Sequence, residues 1–182
     1  MLARELAADG RRTLAVDCDP NPNLAESFGL SSSELPRFAH QGGLKPTGGS
    51  LELADDPMPI EVAPDVWLLG GPPGEMPLAD AVARGIAGVL LANRFDFVLT
   101  DLGAGPAMAR TAVGGVLNPA DLCVVLSDGR RLADEAAERI ETACSARGVD
   151  SIRALNRRGV PNRVASELAQ VLLHRGTRTG GR

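Results

Sequence analysis

Two short apolar segments of the sequence each end in aspartate, in the orders Leu-Ala-Val-Asp17-Cys-Asp19-Pro and Phe-Val-Leu-Thr-Asp101-Leu-Gly-Ala-Gly. When two such segments are neighbouring parallel strands, their carboxylates meet at the carboxyl edge of the sheet. Carboxylate oxygens at that edge suit Mg²⁺, which proteins hold largely through water and beside a phosphate. Gly103 and Gly105 allow the second segment to approach that phosphate closely. One such aspartate is typical of a turn, but the pair indicates a phosphate and magnesium site.

The elements that must position these aspartates alternate between strands and helices. Apolar runs without polar alternation predict buried strands, and apolar residues at helical spacing predict helices. The predicted strands are 13–16, 66–69, 95–100, 122–126 and 152–155, and the predicted helices are 1–9, 24–28, 78–93, 132–147 and 162–174. This order predicts an α/β fold with a doubly wound, mostly parallel sheet and helices on both faces.

The length of 182 residues corresponds to about one domain of ~150 residues. We predict a single α/β domain over residues 1–175. Within it, glycine pairs and prolines over residues 31–65 predict a loop-rich insertion. Residues 176–182 are small or polar and predict a disordered tail.

The composition excludes several classes of protein. With 44% hydrophobic and 23% charged residues, the chain is neither disordered nor of low complexity. Its net charge of −4 provides no overall attraction to nucleic acid, so we expect no nucleic-acid partner. No apolar run approaches the ~20 residues of a membrane span, and the first ten residues lack the apolar core of a signal peptide. We therefore expect a cytoplasmic protein with no membrane partner, whose three cysteines are thiols.

The stretch 4–25, which contains the run Asp19-Pro20-Asn21-Pro-Asn23-Leu, resembles the deviant Walker A class of P-loop ATPases. That class includes the MinD/ParA proteins, the nitrogenase iron protein and the accessory ATPases of carbon monoxide dehydrogenase. The Asp-Pro-Asn-Pro-Asn-Leu form is most similar to the last group, which serves nickel insertion. In such a protein this run is switch I, to which the resemblance assigns Asp19, Pro20, Asn21 and Asn23.

The resemblance also implies roles for the aspartates and the glycines. Asp19 matches the aspartate that positions the attacking water and is expected, with Asp101, to serve Mg²⁺. Asp17 is expected to lie in the nucleotide and magnesium site. The run from Asp101 to Gly105 resembles switch II, in which Asp101 reaches Mg²⁺ through water. Gly103 and Gly105 then lie against the γ-phosphate, which Gly105 senses.

Further expectations about the nucleotide and the partners follow from the same resemblance. Asn156, at the end of a predicted strand, resembles the asparagine that reads the adenine. The complete protein is then expected to bind ATP and Mg²⁺, to form a homodimer on ATP and to assist a metalloenzyme client. Its activity would be nucleotide-switched ATP hydrolysis.

The sequence also departs from this family. Members begin with a strand and a glycine-rich phosphate loop that carries two lysines, whereas this chain starts within the helix that follows. Lys45 is the only lysine, and Pro46 follows it directly, so no phosphate loop forms there. We therefore expect residues 1–182 to bind ATP–Mg²⁺ weakly, to hydrolyse it little and to fold marginally, because a central strand is lacking.

Two other functions compete with the metalloenzyme accessory ATPase. One is a degenerate, non-hydrolysing module that binds a partner; the other is a partition or positioning ATPase of the ParA/MinD type. Metal-handling members carry a Cys-x-Cys where this sequence has Gly74-Glu-Met-Pro77, so no nickel or zinc site is predicted. We expect Cys18, Cys123 and Cys144 to serve packing.

Overall fold

The computed structural model describes residues 1–17, 19, 23–31, 45–47, 50–52, 59–70, 95–102, 120–156 and 163–179. The strands within these ranges are β1 (Thr13–Asp17), β2 (Lys45–Thr47), β3 (Ser50–Glu52), β4 (Ile60–Ala63), β5 (Val66–Gly70), β6 (Phe97–Asp101), β7 (Leu122–Ser127) and β8 (Asp150–Leu155). The α-helices are α1 (Leu2–Ala8), α2 (Arg131–Ser145) and α3 (Arg163–Thr179), and a 3₁₀ helix covers Leu24–Phe28.

Strand β1 lies inside a sheet of order β4-β5-β1-β6. It is parallel to β5 on one side and to β6 on the other, and all five of its residues are buried. This matches its apolar run, since a strand covered on both faces of a parallel sheet needs no polar alternation. The largest buried side chains of this core are Leu6, Leu14, Val16, Val66, Leu68 and Leu69.

Strands β7 and β8 form a separate parallel pair within the described residues. Helix α2 packs on this pair, where Cys144 and Val149 form a buried cluster with Cys123 and Ile140. The guanidinium of Arg153 donates two hydrogen bonds to the carboxylate of Glu141, at 2.9 and 2.5 Å, and so joins β8 to α2. This ion pair lowers the pKa of the Glu141 carboxyl group, chiefly through the hydrogen bond from Arg153.

Helix α3 connects the two sheets through α1 and β8. Its Ser166 hydroxyl donates a hydrogen bond to Glu5 of α1 at 2.9 Å, and its Arg175 pairs with Asp150 at the start of β8, also at 2.9 Å. Between these two contacts α3 carries Leu168 and Ala169, both buried. Buried apolar side chains and two polar contacts therefore hold α3 on the rest of the protein.

The predicted α/β fold with a mostly parallel sheet is confirmed, with two local corrections. The insertion predicted as loops over 31–65 contains β2 and β3, which pair antiparallel, and also β4. Helix α3 continues to Thr179 and so includes residues 176–179, which we predicted to be disordered. The helix predicted over 78–93 lies outside the described residues.

Strand β4 was missed because its stability comes from pairing and not from its own pattern. The segment Ile60–Ala63 is short and lies between prolines. It folds back on β5 through a turn at Asp65, which has a φ of 58°, so that Ile60 lies opposite Leu68. Isoleucine and leucine across two strands bury apolar surface that neither strand could bury alone.

The two cysteines predicted to serve packing, Cys123 on β7 and Cys144 on α2, pack against each other. Both are free thiols, and Cys144 is fully buried. Burial of Cys123, with the interaction of its thiol with that of Cys144, raises the pKa of Cys123 to about 12. A thiol in such surroundings is chemically inert, which fits a packing role.

We expect both thiols to resist alkylation in the folded protein. At pH 8 a thiol with a pKa of about 12 is roughly one part in ten thousand thiolate, the reactive form. In a Cys18→Ser variant, maleimide labelling followed by mass spectrometry should therefore show no adduct before denaturation and two adducts after it. Labelling of the folded Cys18→Ser variant within minutes would contradict the buried pair.

Candidate functional site

Asp17 and Asp101 are the last residues of β1 and β6, and they are direct partners in the parallel register of the two strands. The sheet thus places the two aspartates side by side at its carboxyl edge, as the sequence predicted. Their surroundings differ, because Asp17 is only 1% exposed while Asp101 lies in the exposed class. The buried carboxylate faces the protein, and the exposed one is accessible from solvent.

The Asp17 carboxylate accepts two hydrogen bonds from the backbone that follows β1. Its Oδ1 accepts from the N–H of Asp19 at 3.2 Å, and its Oδ2 accepts from the N–H of Leu24 at 2.9 Å. Leu24 is the first residue of the 3₁₀ helix. One buried side chain therefore holds both the start of the loop and the helix at its end.

The three aspartates lie close enough to interact electrostatically. Burial raises the pKa of Asp17, and the negative charges of Asp101 and Asp19 raise it further. The two N–H groups of Leu24 and Asp19 act in the opposite direction, because they favour the charged carboxylate. Clustered carboxylates repel one another, and a bound cation relieves that repulsion.

The 3₁₀ helix is anchored to the sheet by its apolar side chains. Ala25 is fully buried and packs with Ala15 of β1 and Leu68 of β5. At the end of this helix, the ring of Phe28 lies under the guanidinium of Arg4 in α1, 5.2 Å from the ring centroid. The helix after the candidate switch I is thus packed against both the sheet and α1.

Asn23 and Asn156 occupy exposed positions beside regular elements. Asn23 precedes the 3₁₀ helix, and its carbonyl oxygen accepts the N–H of Glu26 at 3.1 Å. Asn156 follows β8 directly, and its N–H donates to the carbonyl oxygen of Ser127 at 2.7 Å. The structure therefore places Asn156 at the carboxyl end of the β7-β8 pair, where a strand-end asparagine was predicted.

The predicted site residues Pro20, Asn21, Gly103 and Gly105 lie outside the described residues. Among those that are described, Asp17, Asp19 and Asp101 come together. No group of three or more histidine, cysteine or acidic side chains in the described part of the chain is arranged to hold a metal ion by itself. Carboxylate oxygens of Asp19 and Asp101, completed by water and a phosphate, would still match the ordinary surroundings of Mg²⁺.

Sequence reasoning missed the hydrogen bonds that shape the turn after β7. Ser127 is buried, and its hydroxyl donates to Asp134 of α2 at 2.6 Å while it accepts from the N–H of Gly129 at 3.0 Å. The sequence feature that could have predicted these hydrogen bonds is a serine at a strand end, seven residues before an aspartate in the first turn of a helix. These bonds fix the carboxyl end of β7 and, through its carbonyl group, Asn156.

Within the ranges that the structure describes, no helix is long and apolar enough to cross a lipid bilayer.

Comparison with known proteins identifies the fold. The chain is similar to a crystal structure of cobyrinic acid a,c-diamide synthase from Mycobacterium smegmatis with a bound ATP analogue and magnesium. The identity is 17%, the TM-score is 0.61, and the alignment covers 100% of this chain and 88% of that one. A structure of the same enzyme with ADP and magnesium gives 18% identity and a TM-score of 0.54 over 96% and 73% of the two chains.

A plasmid partition protein from Borrelia burgdorferi is also similar, with 13% identity and a TM-score of 0.54 over 94% of this chain and 79% of that one. No model of a known protein family and no curated protein sequence matches the chain. At these identities the likeness concerns the fold. The chain shares the mixed α/β fold of these structures, with a mostly parallel sheet.

We expect Ser127→Ala to lower the free energy of unfolding by about 1–3 kcal/mol, because Gly129 and Asp134 each lose their hydrogen bond to the buried hydroxyl of Ser127. Urea denaturation followed by circular dichroism measures the change. Ser151→Ala, at an exposed position of β8, is the matched control and should stay within about 0.5 kcal/mol of the parent. Equal effects of the two substitutions would contradict the role assigned to Ser127.

Proposed function

We propose that this chain is a nucleotide-dependent switch protein of the ParA/MinD type, which binds ATP and Mg²⁺ at the carboxyl edge of β1 and β6. The observation that carries the proposal is the register of Asp17 with Asp101, with Asp19 two residues beyond β1. Ligands of open α/β sheets bind at this edge. The ATP analogue, ADP and magnesium in the similar structures support the same choice of ligand.

In this proposal the exposed Asp101 would face the magnesium ion through a water molecule. Asp19 would orient the water that attacks the γ-phosphate, and the γ-phosphate contact implied for Gly103 and Gly105 stays a prediction. Asn156, at the end of β8, would recognise the adenine base. The ion, when bound, neutralises the charge that develops on the phosphate oxygens.

The affinity of residues 1–182 for ATP is expected to be weak. Lys45, the only lysine of the sequence, begins β2, which pairs with β3 in the described residues, and Pro46 follows it. A lysine at a glycine-rich helix start is what normally neutralises the phosphates in this fold. We therefore propose that the carboxylates provide magnesium dependence here, without tight binding.

A narrower function within the same class is that of an accessory ATPase for a metalloenzyme, of the carbon monoxide dehydrogenase type. The run Asp19-Pro-Asn-Pro-Asn23-Leu favours it. Such a protein would act as a homodimer on a metalloenzyme client. A chain that bound its partner without nucleotide would instead be the degenerate binding module.

Magnesium-dependent nucleotide binding tests the proposal. Titration of the protein into a fluorescent ATP analogue, with Mg²⁺ and with EDTA, should show binding only with the ion. Asp101→Asn should weaken it by about tenfold, or about 1.4 kcal/mol, because one carboxylate facing the ion is lost. Asp121→Asn is the matched control, since this exposed aspartate precedes β7, at the opposite end of a strand.

Binding that persists unchanged in EDTA, or an equal loss in Asp101→Asn and Asp121→Asn, would contradict a magnesium site at the end of β6.

Partner binding decides between a nucleotide-dependent switch protein and the degenerate binding module. Capture of a partner that does not change between ATP and ADP would favour the degenerate module, and capture with ATP alone would favour the switch.

A further inference from the structure

We propose that Asp17 is a positioning residue and not a ligand of the magnesium ion: its buried carboxylate holds the N–H groups of Asp19 and Leu24 and thereby fixes Asp19 at the carboxyl end of β1. The assignment rests on the proposed function only in the roles it gives to Asp19 and Asp101. The structural part, that one carboxylate holds both Asp19 and Leu24, stands on the contacts of Asp17 alone.

The burial of Asp17 separates it from the other two aspartates. Only 1% of its surface is exposed, and each carboxylate oxygen already accepts a backbone N–H group. A metal ligand at the edge of the sheet must face the solvent side, where water and phosphate complete the coordination. Asp101, its exposed neighbour in the register, is at such a position, while Asp17 faces the loop.

The two hydrogen bonds of Asp17 reach two separate positions after β1. One bond reaches two residues along the chain, to Asp19, and the other reaches seven residues, to Leu24. The far end is fixed a second time, because Ala25 is buried against Ala15 and Leu68. Asp19 and Leu24 are therefore both attached to the end of β1.

The chemistry of the carboxylate explains why a neutral side chain does not replace it. A carboxylate accepts hydrogen bonds at both oxygens, whereas an asparagine of the same shape has one acceptor and one NH₂ donor. In Asp17→Asn one of the two N–H groups would face another donor. A buried N–H group that loses its partner is strongly destabilised, so the loop would detach at Asp19 or at Leu24.

Hydrogen exchange measured by NMR on residues 1–182 tests the positioning role without any nucleotide. In Asp17→Asn the amide of Leu24 or of Asp19 should exchange about tenfold faster or more than in the parent protein. Asp128→Asn is the matched control. Asp128 also follows a strand and its Oδ1 accepts the N–H of Arg130 at 3.0 Å, but it is exposed.

The control should accelerate exchange only at Arg130 and leave Leu24 and Asp19 unchanged. If Asp17→Asn fails to fold, a measurement on the parent protein still tests the role of Asp17. We expect the NMR spectrum of the parent to show a scalar coupling across the hydrogen bond, from the amide nitrogen of Leu24 to the carboxyl carbon of Asp17. Unchanged exchange at both amides in the variant, or absence of the coupling in the parent, would overturn the proposal.

Steady-state kinetics distinguishes positioning from metal binding where the parent protein hydrolyses ATP. A positioning role predicts a lower kcat for Asp17→Asn with an unchanged magnesium requirement, whereas Asp101→Asn should raise the magnesium concentration needed. A magnesium requirement raised equally in both variants would make Asp17 a ligand and overturn the proposal. Little hydrolysis is expected of residues 1–182, and where none is measured hydrogen exchange decides the role of Asp17.

Discussion

Burial of β1 between β5 and β6 is the constraint on which the rest of the described structure depends. Five consecutive residues of this strand are buried, and each large apolar side chain so placed contributes about 1.5–3 kcal/mol. Because the strand ends in Asp17, the carboxylate of this residue is buried together with the strand. A buried carboxylate must be hydrogen-bonded, and the loop toward Leu24 supplies the two N–H groups that it needs.

The requirement for those hydrogen bonds links packing to the candidate chemistry. The loop that satisfies Asp17 is the loop that contains Asp19, and β6 brings Asp101 beside it by register. Three carboxylates then lie within electrostatic reach, which raises the pKa of Asp17 beyond the effect of burial. An arrangement that accumulates negative charge at one edge of a sheet is suited to a cation with its phosphate, which is the ligand we propose.

The sequence predicted the elements near the site because their signals were local. Apolar runs marked β1 and β6, and the aspartates after them marked their ends, so the meeting of Asp17 with Asp101 required only that the strands be neighbours. The different roles of the two aspartates were not predictable. Whether a strand-end carboxylate faces solvent or the loop depends on how far the following backbone folds over it. That depends on Ala25 packing against Leu68, a residue 43 positions away.

By itself the sequence determined the alternation of strands and helices, the parallel character of most pairings and the carboxylates at the strand ends. Each of these follows from side-chain type and spacing over a few residues. Only the tertiary structure decided that Ile60–Ala63 is a strand, that Cys123 meets Cys144 and that Asp17 is buried while Asp101 is exposed. These outcomes depend on contacts between distant segments, whose free energy is gained only when the whole sheet assembles.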